Sequence, residues 1–104
     1  MNSSNRGEVW LVDLVFAAKI RPCLVLSIPA HDEDRALVIV VPHTTSQRGS
    51  RFEVEIKTGF LKKGVFDAQN LVTIPNAKLA HKLGTLTDDQ MLDIEGAVCA
   101  WLGL

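Results

Sequence analysis

Two wholly apolar runs, residues 23–26 (Cys-Leu-Val-Leu) and residues 36–41 (Ala-Leu-Val-Ile-Val-Val), leave this chain few folds to choose from. A strand with one wet face alternates apolar and polar side chains, whereas these runs contain no polar member and need cover on both faces. The first is entered through Arg21-Pro22. Proline fixes its own φ and biases the preceding residue toward extended backbone, so Arg21 meets an apolar wall on a stiffened segment. Taken alone, Arg21 reads as a surface arginine paired with a carboxylate.

The rest of the chain supplies shorter strands and one helix. Residues 8–14 alternate, with Val9 and Leu11 on one side and Trp10, Val12 and Leu14 on the other, which is a sheet strand with Trp10 expected in the core. A short connection at residues 15–20 leads to a second strand at 22–28. After the polar turn 29–35, the third strand covers 36–41 and is expected to stop at Pro42. Residues 52–56 alternate with Glu53 and Glu55 outward, and residues 65–74 give one or two strands interrupted near 67–70. Residues 76–82 suggest a single helical turn, and residues 84–86 an extended link.

From Thr87 the period changes. Thr87 and Gln90 form a capping box, Asp88 and Asp89 suit the positive end of a helix, and Gly103 ends it. Met91, Ile94, Val98 and Trp101 make an apolar stripe that packs the helix, residues 87–103, onto the sheet. Many short strands and then one helix, without βαβ alternation, indicate a mainly β fold with α: a small antiparallel barrel or curled sheet with a C-terminal helix.

At 104 residues the chain reads as a single domain, 1–104, with residues 1–6 as a frayed polar tail. A net charge of −1 excludes the strongly basic domain of a simple nucleic-acid binder, but not a local patch. Residues 1–84 hold all 11 Lys and Arg against 8 Asp and Glu, whereas residues 85–104 hold only acids. Positive potential therefore lies off the C-terminal helix. Cys23 and Cys99 sit in apolar runs and away from histidine clusters, which suits two reduced, buried thiols and gives no metal site. No apolar segment reaches membrane-spanning length, and a cytoplasmic protein without a cofactor is expected.

No phosphate-binding glycine loop, nucleophile elbow or histidine pair for a metal is present. His31, His43 and His81 fall in turns or at element ends, and His43 stands out because Thr44 and Thr45 follow it. Four segments, RGEVWLVDL at 6–14, RPCLVLS at 21–27, VVPHTTSQRGSRFEVEI at 40–56 and LVTIPNAKLAHKLGTLT at 71–87, together resemble the MazF/PemK (Kid) family of toxin endoribonucleases. The resemblance runs over residues 6–104, with order and spacing of the motifs preserved.

The resemblance implies an SH3-like small β-barrel with a C-terminal helix, of the MazF/CcdB type, in a homodimer. It implies metal-independent, sequence-specific cleavage of single-stranded RNA to 2′,3′-cyclic phosphate and 5′-hydroxyl ends. It also implies control by a cognate antitoxin whose disordered acidic tail competes for the same surface. Carried over motif by motif, the catalytic residues fall on Arg21 and Thr44, and the ionisable His43 beside Thr44 is added as a candidate acid or base. Contacts to RNA are expected from Thr45, Ser46, Arg48, Arg51, Lys62 and Lys63.

The chain departs from the family pattern in its short 15–20 connection and in Gln69-Asn70, with Asp67 nearby, where many members carry an acidic-Gln pair. Two readings from other classes compete. One is a non-catalytic barrel that binds a protein target in the manner of a topoisomerase poison. The other is a degenerate module that only binds its antitoxin.

Overall fold

The computed structural model describes residues 4–14 and 19–104. The strands are β1 (Glu8–Leu14), β2 (Lys19–Val25), β3 (Leu37–Thr44), β4 (Glu53–Val54), β5 (Val65–Asp67), β6 (Val72–Pro75) and β7 (Leu79–Thr85), and the helix is α1 (Asp88–Leu102). Every recorded pairing is antiparallel. The sheet runs β4-β5-β3-β2-β1-β7, and β6 also pairs with β3. The mainly β class with a C-terminal helix is as expected, but the barrel does not close. Among the described residues, no pairing joins β4 to β7.

The first run became a strand covered on both faces, whereas in the second Val38, Val40 and Val41 are buried but Ala36 is exposed and Leu37 and Ile39 are half-buried. Successive residues of β2 enter different cores: Leu24 joins Val9, Val41, Phe66 and the helix residues Met91, Ile94 and Val98, whereas Cys23 and Val25 join Val12, Val40, Ile74 and Leu79. The pleat alternates side chains between faces, so one strand serves two clusters. Each fully covered aliphatic side chain contributes ~1.5–3 kcal/mol of burial.

Helix α1 begins and ends where the sequence indicates. Thr87 Oγ1 accepts the Gln90 N–H at 3.2 Å, and Gln90 Oε1 accepts the Thr87 N–H at 2.9 Å, satisfying two otherwise orphaned donors. Gly103 closes the helix in the left-handed region, at φ 73°. Met91, Ile94 and Val98 are buried, but Trp101 remains 44% exposed and leans on Phe52 at 5.4 Å.

Several boundaries differ from the sequence reading, each for a physical reason. β2 starts earlier and ends sooner, which moves Arg21 from the strand mouth into the strand. β3 does not stop at Pro42 but runs on to Thr44. Pro42 falls between two ladders on that side, since β6 pairs residues up to Val40 and β5 pairs from His43, and a residue without an N–H fits such a gap. Most of the expected helical turn and link at residues 76–86 is instead β7, with only a 3-10 turn at Asn76–Lys78. β7 is an edge strand that pairs with β1 through two irregularities, and its mostly exposed side chains hide the alternation. Strand β4 is shorter than residues 52–56.

The N-terminal segment is tied down where it is described. Arg6 forms an ion pair with Glu95 and donates from Nη1 to the Leu26 carbonyl at 3.0 Å. Glu8 links β1 to β7 by accepting from the Asn5 N–H, Trp10 Nε1 and Lys82 Nζ, each at 3.0 Å. That bond leaves Trp10 half-buried, with its N–H satisfied at the rim rather than in the core. Burial alone would raise the Glu8 carboxyl, but its three donors outweigh it and hold the group below 4.5. The 15–20 connection lies outside the described residues over 15–18.

Candidate functional site

The β2–β3 register sets Cys23 opposite Pro42. The recorded pairing ends there, and Arg21 and Thr44 lie two residues beyond it on their strands. Both are half-buried, and both line two adjoining cavities of about 410 Å³ and 470 Å³. None of the ion pairs among the described residues engages Arg21. Its fork of donors is therefore not committed to a carboxylate, contrary to the plain structural reading of a paired surface arginine.

The first cavity adds Leu14, Pro42, Ser46, Arg48, Glu53, Asp67 and Asn70. Neither carboxylate in it is idle. Glu53 accepts backbone N–H groups from Arg48, Gly49 and Ser50 at 2.8–3.1 Å. Gly49 has φ +77°, and such a bend converges successive N–H groups into an anion-binding nest. Asp67 caps the 3-10 turn Ala68–Asn70 by accepting from the Gln69 N–H at 3.1 Å, and Asn70 Nδ2 donates to it at 2.6 Å. Thr44 Oγ1 accepts the Ser46 N–H at 3.1 Å, which directs the chain after β3 around the cavity. The hydroxyl proton of Thr44 stays available to a ligand.

The second cavity has apolar walls of Leu11, Ile20, Pro22, Phe60, Leu61 and Leu83. Thr45, Ser46 and Lys62 stand with Arg21 and Thr44 among its polar members. His43 belongs to this cavity only. Alternation turns it toward the helix-side core, where its ring meets Phe66 edge-on at 5.1 Å. His43 is 3% exposed, burial pulls its pKa below 6.5, and Nε2 has no hydrogen-bond partner among the described residues. Its ring packs into the core, yet it borders the second cavity that Arg21 and Thr44 also line.

Of the residues singled out from sequence, Arg21, Thr44, Thr45, Ser46, Arg48, His43 and Lys62 line one or both cavities. Lys63 lies in a separate groove with Glu55 and Lys57, and the Arg51 guanidinium stacks 4.6 Å from the Phe52 ring centroid, outside both cavities. Sequence reasoning missed Glu53, Asn70 and Phe60. Glu53 showed only as the outward member of an alternating pair, because a carboxylate that holds backbone N–H groups leaves no motif. Among the described residues, no group of three His, Cys, Asp or Glu could hold a metal. No described helix is long and apolar enough to cross a membrane.

Comparison with known proteins places this geometry in a known setting. Residues 5–102 match the sequence model of the PemK-like, MazF-like toxins of type II toxin-antitoxin systems. Endoribonuclease MazF4 of Mycobacterium tuberculosis is 33% identical over 104 residues, covering 100% of this chain and 97% of the relative. The structure of an endoribonuclease from a mycobacterial species superposes with a TM-score of 0.82 at 31% identity, over 100% of this chain and 95% of the other. A mycobacterial endoribonuclease in complex with its cognate antitoxin gives 0.83 at 30%, over 97% and 96%.

Proposed function

Since the chain belongs to the family of PemK-like, MazF-like toxins of type II toxin-antitoxin systems, and is an endoribonuclease of that family, we propose that Arg21 and Thr44 are its catalytic pair. The observation that supports this reading is that both side chains line the two adjoining cavities, with the guanidinium in no ion pair among the described residues.

The chemistry follows from charge. Attack of a ribose 2′-OH on the adjacent phosphorus passes through a pentacoordinate phosphorane with extra negative charge on its equatorial oxygens. The Arg21 fork donates two N–H groups to those oxygens, and the Thr44 hydroxyl donates a third bond. Removing one such preorganised donor costs ~3–4 kcal/mol of transition-state stabilisation. The 2′-oxygen gives up its proton to solvent water as it bonds to phosphorus, the P–O5′ bond breaks, and the 5′-oxygen takes a proton from water. The products are a 2′,3′-cyclic phosphate and a 5′-hydroxyl, and no step calls for a metal ion.

Single-stranded RNA is the substrate this site suits, because its splayed bases can enter cavities on either side of the phosphate. Ser46, Arg48, Thr45 and Lys62 then contact the strand beyond the scissile phosphate, with Arg51 and Lys63 farther out. The imidazole of His43, held neutral and buried, serves the site as packing beneath Thr44 rather than as acid or base. A cognate antitoxin is the expected protein partner, as in the mycobacterial complex, with an acidic segment competing for the basic rim. A homodimer acting in the cytoplasm completes the reading. No observation favours a topoisomerase-poison-like binder or a module kept only for its antitoxin.

Incubation of the purified protein with a long single-stranded RNA in EDTA tests the proposal. Discrete fragments with cyclic phosphate and 5′-hydroxyl ends are expected. Fragments with 5′-phosphates, or cleavage that requires an added divalent ion, contradict it.

A further inference from the structure

We infer that the cavity beside Arg21 that Phe60 lines is a stacking subsite for one nucleobase of the RNA substrate, with Phe60 as its platform. The inference rests on the endoribonuclease reading and adds to it where one base goes and what holds it. A phosphate between Arg21 and Thr44 has a cavity on each side, since both residues line both. The bases flanking that phosphate thus meet unlike surroundings. Ser46 lines both; one side adds Leu14, Pro42, Arg48, Asp67 and Asn70, whereas the other adds Lys62, Leu61, Leu83 and the aromatic ring of Phe60.

Phe60 is built to present a surface rather than to fill the core. Its ring is half-buried and touches the helix-side cluster. Gly84 of β7 lies against it so closely that a Cβ at 84 would come within 2.6 Å of Cε2 and 2.7 Å of Cδ2 and Cζ. The missing side chain at Gly84 is what seats the ring. The Phe60 N–H donates to Thr58 Oγ1 at 3.3 Å, which further fixes the loop. At the floor, neutral His43 offers no positive charge, so the cavity favours an uncharged flat guest while Arg21 and Lys62 at its edge take the phosphates. Stacking on an aromatic ring tolerates any base, which separates this side from the first cavity.

The test uses an RNA oligonucleotide centred on the mapped cleavage site, with a 2′-O-methyl group at the scissile ribose to block cleavage. Single abasic nucleotides are placed in turn on either side of the scissile phosphate. Phe60→Ala and Phe60→Leu are expected to bind the intact oligonucleotide on the order of tenfold more weakly, whereas Phe60→Trp retains affinity. Phe60→Leu keeps an apolar contact with the core and so separates lost stacking from lost packing. Gly84→Ala, which displaces the ring, behaves like Phe60→Ala.

At one flanking position, the abasic oligonucleotide should bind wild type as weakly as it binds Phe60→Ala. Binding by Phe60→Ala within twofold of wild type overturns the inference. So do losses that multiply at both flanking positions, and so does weakened binding of an acidic antitoxin peptide with RNA affinity intact. If Arg21→Ala abolishes cleavage while the Phe60 variants bind normally, the subsite falls and the catalytic reading stands. If wild type cleaves no RNA, both fall together.

Discussion

The His43 imidazole lies directly beneath Gly64, so close that a Cβ at position 64 would come within 2.8 Å of Cε1 and 2.4 Å of the Thr44 carbonyl oxygen. The second contact is with backbone and cannot be relieved by a rotamer change. Gly64→Ala is therefore expected to cost ~1–3 kcal/mol in urea unfolding and to lower RNA cleavage by shifting Thr44. Gly59→Ala is the control, because a Cβ there meets nothing within 4 Å. Equal stabilities of the Gly64→Ala variant and wild type would show that β3 and the 58–64 loop are not packed in this way.

Stability should fall in two separate steps as the solution is acidified. Burial depresses the folded-state pKa of His43 below 6.5, so below that pH the unfolded chain binds the proton more readily, and stability present above 6.5 is lost as pH falls toward the folded value. Glu8, depressed below 4.5 because its donors outweigh burial, loses its contribution only below 4.5. His43→Val should flatten the first step alone and Glu8→Gln the second alone, as read by urea midpoints across pH. Loss of both steps in either variant contradicts the assignment.

Glu53 is expected to govern the loop rather than the chemistry. Glu53→Ala leaves three backbone N–H groups at residues 48–50 without their acceptor, and amide exchange there should accelerate at least tenfold. Ser46 and Arg48 lose their fixed position in the first cavity, so the Michaelis constant for RNA should rise more than the turnover number falls. Unchanged exchange at residues 48–50 would remove the nest from the account.

The two thiols should differ sharply in reactivity. Burial raises the Cys23 thiol to about 12 despite the nearby Arg21 charge, whereas Cys99 is exposed on α1. A maleimide or disulfide reagent at pH 8 should label one thiol per folded chain and two in denaturant. Cys99→Ser should show none until unfolded.

These relationships differ in how plainly the sequence announces them. The uniformly apolar composition of residues 23–26 demands cover on both faces, and Thr87, Gln90 and Gly103 mark the ends of α1 through local hydrogen bonding, so both were legible. Strand β7 was not, because His81 and Lys82 face solvent on an edge strand and its irregular pairing breaks the alternation. The path of β3 past Pro42 depended on which neighbour lies alongside, a fact of tertiary pairing. At the site, Arg21 and Thr44 were candidates through the family resemblance of their motifs, since Arg21 read alone as a paired surface arginine. Glu53 and Phe60 act through a backbone nest and a facing glycine, neither of which leaves a pattern along the chain.

The most direct test of the account compares cleavage of single-stranded RNA by wild type and Arg21→Ala in EDTA, with folding of the variant verified by urea unfolding. Loss of the guanidinium fork should reduce kcat/KM by a factor on the order of 100 to 1,000 while leaving the unfolding midpoint nearly unchanged, and Arg21→Lys should recover only part of the activity. A folded Arg21→Ala variant that cleaves RNA within twofold of the wild-type rate would contradict the central claim.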